Sequence, residues 1–256
     1  MNYRYSNISS SISFGGPLTP RVKFIIITCT IVFVMQVLGG GLGGPVTRLL
    51  SLTPAHILEQ HFLWQPFTYI FLHADVFHLM INMLILFMFG CELERYWGSK
   101  RFWRYFIITG IGAGICVFLV NLFSPLGYYY PTLGASGAIY GVLTAYGLSF
   151  PSRIIYVMLL FPLPAKYAVM IFGGISFLSS VSGSSSGISH TAHLGGMLVG
   201  YLYLKGGYSR KRYATNSWAE SIKRIYLEYK FQQAKKRFTI HLKEDSKDKD
   251  DNKTIH

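Results

Sequence analysis

The sequence predicts an all-α fold, a polytopic membrane bundle of six transmembrane helices, and three observations carry that expectation. Of the 256 residues 51% are apolar and only 14% are charged, too few charges for an ordinary soluble domain. A bilayer core of ~30 Å asks for ~20 mostly apolar residues per crossing helix, and six stretches have that character. Basic residues flank these stretches unequally on their two sides, as they do in segments that cross a membrane.

The spans are read as Val22–Leu38, Ile70–Gly90, Phe102–Leu122, Gly134–Phe150, Ala165–Val181 and Ile188–Leu204. Arg21 and Lys23 precede the first, but Val34–Gly44 offers no small-x-small cleavage site, so it reads as a retained anchor and not a signal peptide. Between the first two spans, Thr53-Pro54 is the cap and first-turn pair expected of a short interfacial helix reaching Trp64. Pro151, Pro162 and Pro164 interrupt the approach to the fifth span, where Arg153–Pro162 reads as a short interfacial segment. Cys29, Cys91 and Cys116 fall in or at the ends of apolar spans and read as reduced packing residues.

The formal net charge of +13 raises nucleic acid as a partner, but its distribution points elsewhere. Fourteen of the 24 Lys and Arg residues lie from Lys205 onward. Arg95, Lys100, Arg101, Arg104 and Arg153 stand beside the second, third and fourth spans, whereas only Arg48 lies between the first and second. The positive-inside rule then puts both termini in the cytoplasm. The chain divides into a disordered amino-terminal tail, residues 1–20, a membrane domain, 21–205, and a basic tail, 206–256. Within the tail Asn216–Leu242 reads as a helix and Lys243–His256 as a low-complexity end; anionic lipid, not nucleic acid, is the expected contact.

Polar groups inside membrane spans are costly and are functional candidates by default. Ser136 sits in Gly134-Ala135-Ser136-Gly137-Ala138-Ile139-Tyr140-Gly141, among neighbours small enough to leave its hydroxyl open to a substrate backbone. A serine nucleophile needs a base for its proton and donors for the oxyanion it creates. The competing reading makes Gly134, Gly137 and Gly141 a small-residue helix seam with Ser136 one more member of it. His193, in His190-Thr191-Ala192-His193-Leu194-Gly195-Gly196, precedes a Gly196/Gly200 face that lets its helix approach another closely. Brought to Ser136, its imidazole would act as general base and then general acid. A packing role, a proton relay and a metal pair with His190 are the alternatives, the last disfavoured because no His-Glu-x-x-His occurs and carboxylates are scarce in the spans. No metal or cofactor is expected. His78 and Asn82, four apart on one helical face, are candidate oxyanion donors or an interhelical clamp.

Taken together, His78-x-x-x-Asn82, Glu92-Leu93-Glu94-Arg95-Tyr96-Trp97-Gly98-Ser99, Gly134-Ala135-Ser136-Gly137 and Ala192-His193-Leu194-Gly195-Gly196 with Gly200 resemble the rhomboid intramembrane serine proteases over Thr19–Lys205. The resemblance implies a Ser136–His193 dyad without an acidic third member, reached by water from the extracytoplasmic side. It also implies Tyr140 beside His193; His78, Asn82 and the Ser136 amide at the oxyanion; Trp64 in a partly embedded first loop; and Glu94 as a structural contact. Gln65 departs from the family's pattern, in which Arg commonly follows the equivalent Trp, and this leaves the anchoring of the first loop open. The implied function is hydrolysis of peptide bonds in or near spans of single-span or polytopic membrane proteins; a bacterial inner membrane is the expected location, with an organelle membrane the alternative. The alternatives are a non-proteolytic membrane chaperone or recruiting protein on the same bundle, and a transporter, for which mid-span acidic residues are wanting.

Overall fold

The computed structural model describes residues 16–157, 160–182 and 190–207, with isolated positions between 226 and 233. Most of the expected amino-terminal tail, and nearly all of the basic tail with its expected helix and low-complexity end, lie outside the described residues. The chain separates into two units, Met1–Leu204 and Lys205–His256; Tyr226–Glu228 in the second is helical.

Helix α1 (Pro20–Leu38) starts at a proline, whose fixed φ suits the first helical position and whose missing N–H costs nothing there. The next N–H groups are capped from another part of the chain. The Glu94 carboxylate accepts from the Arg21 and Val22 amides at 3.0 Å each, and receives the Thr19 and Ser99 hydroxyls at 2.6 and 2.5 Å. A buried anion at the positive end of a helix dipole satisfies groups that lipid could not.

Helices α2 (Pro45–Leu50), α3 (Pro54–Glu59) and α4 (Gln65–Thr68) form the first loop. The expected helix after Thr53 ends at Glu59 and does not reach Trp64, because His61 takes the left-handed φ of 60° and Trp64 turns its indole N–H onto the Leu49 carbonyl at 2.9 Å. Thr53 occupies the cap position without a side-chain cap bond. Gln65 anchors the loop instead. Fully buried, it accepts from the Thr53 amide at 3.0 Å and donates to the Arg48 carbonyl at 3.1 Å.

Asp75 caps α5 (Val76–Ile85) by accepting the His78 amide at 2.8 Å. A π-helical turn, Leu86–Gly90, and α6 (Cys91–Trp97) extend α5 into one 22-residue apolar rod. The second span therefore begins at Val76 and not at Ile70; Tyr69–Phe71 is a separate 3-10 turn. Gly98, at φ 81°, turns the chain into α7 (Ser99–Asn121), and α8 (Pro125–Tyr129) comes next.

α9 (Ser136–Ser149) is buried along most of its length between its neighbours. The all-helical expectation then needs a correction, because β1 (Ile154–Val157) and β2 (Phe161–Pro164) form an antiparallel hairpin with Ile154 opposite Pro164. β-branched and aromatic residues favour the strand, and Pro162 and Pro164 forbid a helix while tolerating a strand edge. α10 (Ala165–Val181) and α11 (His190–Gly207) complete a helical membrane bundle. Among the described residues three helices are long and apolar enough to cross a bilayer, Pro20–Leu38, Val76–Trp97 and Ser99–Asn121; α10 is apolar but shorter. Leu52, Ile70, Phe102, Tyr105, Phe106 and Ile139 are fully buried where these elements meet.

Candidate active site

The turn that delivers Ser136 is fixed by backbone pairing. Leu52 and Thr132 exchange amide-to-carbonyl bonds at 2.9 and 2.8 Å, and the Gly134 amide donates to the Tyr69 carbonyl at 2.9 Å. Tyr69 is in turn held by its hydroxyl, which donates to the Gly110 carbonyl on α7 at 2.7 Å. Gly134 adopts φ 126°, and a Cβ there would meet the His78 ring at 2.9 Å. This glycine lies in the turn before α9, where its φ suits glycine and its missing Cβ admits the His78 ring of α5. Ser136 becomes the first residue of α9, at the end of a helix where backbone N–H groups lack intrahelical partners.

Small residues bring α11 and α7 against α9. A side chain at Gly196 would collide with the Gly137 carbonyl, and one at Gly200 with the Tyr105 hydroxyl. Tyr105 uses that hydroxyl to donate to the Gly141 carbonyl at 2.7 Å. Gly141 itself faces Thr109, whose Cβ lies 2.7 Å from where a Cβ would stand. This closeness sets the position of His193, one turn before Gly196 on α11.

The His193 Nε2 lies 2.9 Å from the Ser136 Oγ, with His193 only 7% exposed. The Tyr140 ring, one turn along α9, stacks on it with centroids 4.1 Å apart and planes 6° from parallel. His190 meets the same imidazole edge-on at 5.8 Å. Sequence reasoning missed Ser176 on α10, buried, with its Oγ 3.5 Å from the His193 Nδ1. It lies in Gly174-Ile175-Ser176-Phe177-Leu178-Ser179-Ser180, where nothing local sets it apart from the neighbouring serines.

His78 borders the same space. The Ala74 amide lies 3.4 Å from its Nδ1, an arrangement that leaves the Nε2 proton free to donate toward the front of Gly134. Asn82 is buried on the same face, yet its amide donates to the His78 carbonyl at 2.9 Å and makes no hydrogen bond to Ser136 or His193. His73 packs edge-on against His78 at 5.2 Å, its backbone amide held by the buried Gln36 of α1 at 3.0 Å. Among the described residues no three His, Cys, Asp or Glu side chains converge to hold a metal ion. The assembled groups suit acyl transfer: a hydroxyl nucleophile, a base on it, and donors nearby.

A family model described as the Rhomboid domain matches residues 60–210. The chain is 30% identical to rhomboid protease GluP of Bacillus subtilis over 187 residues, 73% of this chain and 34% of that protein. It is 32% identical to the mitochondrial rhomboid protein 1 of Saccharomyces cerevisiae, over 52% of this chain and 38% of the relative. It is also 32% identical to the putative rhomboid protease YdcA of Bacillus subtilis, over 54% and 64% respectively. The chain thus spans about a third of the first two relatives and just under two thirds of the last.

Proposed function

Because the chain belongs to the rhomboid family, we propose that it is an intramembrane serine endopeptidase cleaving peptide bonds in or near the membrane spans of other proteins. The observation that carries this reading is the 2.9 Å approach of the His193 Nε2 to the Ser136 Oγ. Relatives named as proteases support it.

The atoms at hand dictate the chemistry. Neutral His193 takes the proton of the Ser136 hydroxyl as its oxygen attacks the substrate carbonyl carbon, forming the C–O bond of a tetrahedral intermediate. The carbonyl oxygen becomes an oxyanion in front of the first turn of α9, where the Ser136 amide and the His78 Nε2–H are positioned to donate and the helix dipole favours negative charge. The imidazolium passes its proton to the leaving nitrogen as the C–N bond breaks, and the same base then activates water against the acyl-enzyme. The stacked Tyr140 limits the ring to a plane compatible with both transfers. Asn82 supports His78 through its carbonyl and acts on the oxyanion only if its amide swings away.

At ~1.5 Å per residue the 14 residues of α9 span ~21 Å, short of a ~30 Å hydrocarbon core, so with Ser149 at the opposite membrane surface Ser136 would lie below its own. The reading includes six crossings with both termini cytoplasmic, residence in a bacterial inner membrane, single-span or polytopic substrates reached through the lipid, and a catalytic unit within 21–205 with the basic tail outside it. The deciding experiment incubates purified protein with a library of single-span membrane proteins and identifies products by mass spectrometry, alongside fluorophosphonate labelling. Cleavage and labelling that vanish in both Ser136→Ala and His193→Ala are expected. Undiminished cleavage by a folded Ser136→Ala protein would return Ser136 to a packing role.

A further inference from the structure

We infer that Ser176 is the positioning residue of the catalytic base, a neutral hydroxyl standing where other serine hydrolases place a carboxylate. The inference rests on the protease reading above. A base that removes a proton with Nε2 must carry its own proton on Nδ1, and a buried Nδ1–H without an acceptor is costly. Among the described residues the hydrogen-bond partners of the His193 ring are Ser136 and Ser176, one at each nitrogen. Ser176 thereby offers an acceptor to the Nδ1–H of the tautomer whose Nε2 lone pair faces Ser136.

The placement of Ser176 on α10 supports a dedicated role. Of the α10 residues after Val169, Ser176 is the one that is buried; Ile175 and Phe177 beside it are more than half exposed. Phe172 packs half-buried against the core, whereas the one fully buried side chain of that stretch is polar and meets the imidazole. The stack on Tyr140 fixes the plane of the ring but not which of the two settings related by a 180° flip about Cβ–Cγ it takes. The two hydroxyls distinguish the flips, because only one of them gives each nitrogen an oxygen. At 3.5 Å the contact is long for the neutral ring, and it shortens when the imidazolium forms and Nδ1–H becomes a charge-assisted donor. A hydroxyl thus gives part of what a carboxylate gives, without a buried anion in the membrane.

Fluorophosphonate labelling of the full-length protein in detergent tests this without a known substrate, because the probe bonds to Ser136 only when the base works. Ser176→Thr and Ser176→Val are near-isosteric and differ by the hydroxyl, so any packing cost is common to both, and melting temperatures are taken on the same preparations. Ser176→Val and Ser176→Ala are expected to lower kinact about tenfold with KI unchanged, while Ser176→Thr stays within about threefold of wild type. Wild-type kinact in Ser176→Ala and Ser176→Val overturns the inference, and so does a Ser176→Thr protein as slow as Ser176→Val. Labelling that persists in Ser136→Ala overturns the protease reading itself, and this inference with it.

Discussion

Gly196 of α11 rests on the carbonyl oxygen of Gly137 in α9, with no room for a side chain between the two backbones. Neither backbone can yield without moving a helix, and the helices that would separate are those carrying His193 and Ser136. Gly196→Ala is expected to cost about 1–3 kcal/mol and to lower labelling of Ser136 along with the melting temperature. Gly174→Ala, where nothing lies within 4 Å, is the control and should be neutral or slightly stabilising. Paired melting and labelling curves decide whether the tight contact is specific to the α9–α11 seam.

Tyr140 and His193 stack almost parallel, so the expected contribution of Tyr140 lies in its ring and not its hydroxyl. Tyr140→Phe should keep kcat within about threefold of wild type, and Tyr140→Ala should lower it roughly tenfold, on the order expected for an aromatic pair. A Tyr140→Phe protein as slow as Tyr140→Ala would transfer the role to the hydroxyl.

His78 and Asn82 should separate. His78 presents Nε2 to the space before Gly134, so His78→Ala is expected to lower kcat by about 10²–10³, as the loss of one oxyanion donor does. Asn82 spends its amide on the His78 carbonyl, so Asn82→Ala should give a smaller loss of kcat together with a lower melting temperature. If both variants lose stability and keep kcat per folded molecule, the two residues are a clamp and not part of the oxyanion site.

Glu94 gathers two hydroxyls and two helix-end amides at one buried carboxylate. Glu94→Ala strands those donors, and a loss of roughly 2 kcal/mol is expected from broken charge-assisted bonds. The residual activity of the folded fraction should match wild type, because Glu94 touches neither Ser136 nor His193. Thermal unfolding with activity measured per folded molecule is the check.

Cytoplasmic termini and six crossings predict that a carboxyl-terminal green fluorescent protein fusion fluoresces and that an alkaline phosphatase fusion at the same point is inactive. Active phosphatase would sink the six-span reading.

The apolar segments were legible because a bilayer makes a local demand: each crossing stretch must exclude water over its own length, wherever the rest of the chain goes. The expected bounds of the fifth segment, Ala165–Val181, match those of the apolar helix α10. The second shows the limit. Ile70–Leu72 is as apolar as the helix after it, yet Asp75 captures the His78 amide and starts that helix at Val76. The hairpin at Ile154–Pro164 was hidden for a related reason, since its strands are defined by pairing with each other and by neither segment alone.

By itself the sequence determined the membrane character, the family, and which rare polar side chains stand in apolar surroundings, because composition and short motifs are properties of neighbouring residues. The tertiary structure decided what those side chains meet. It bound Glu94 to the start of α1 more than seventy positions earlier, tied Asn82 to a carbonyl of its own helix, placed Gly134 in the turn before α9, and set Ser176 against His193. For the partners distant in the chain, Glu94 with α1 and Ser176 with His193, the physical reason is shared: in a dry interior a polar group takes whichever partner the packing of helices brings within hydrogen-bonding distance, and packing is a sum over the whole bundle that no short stretch of sequence contains.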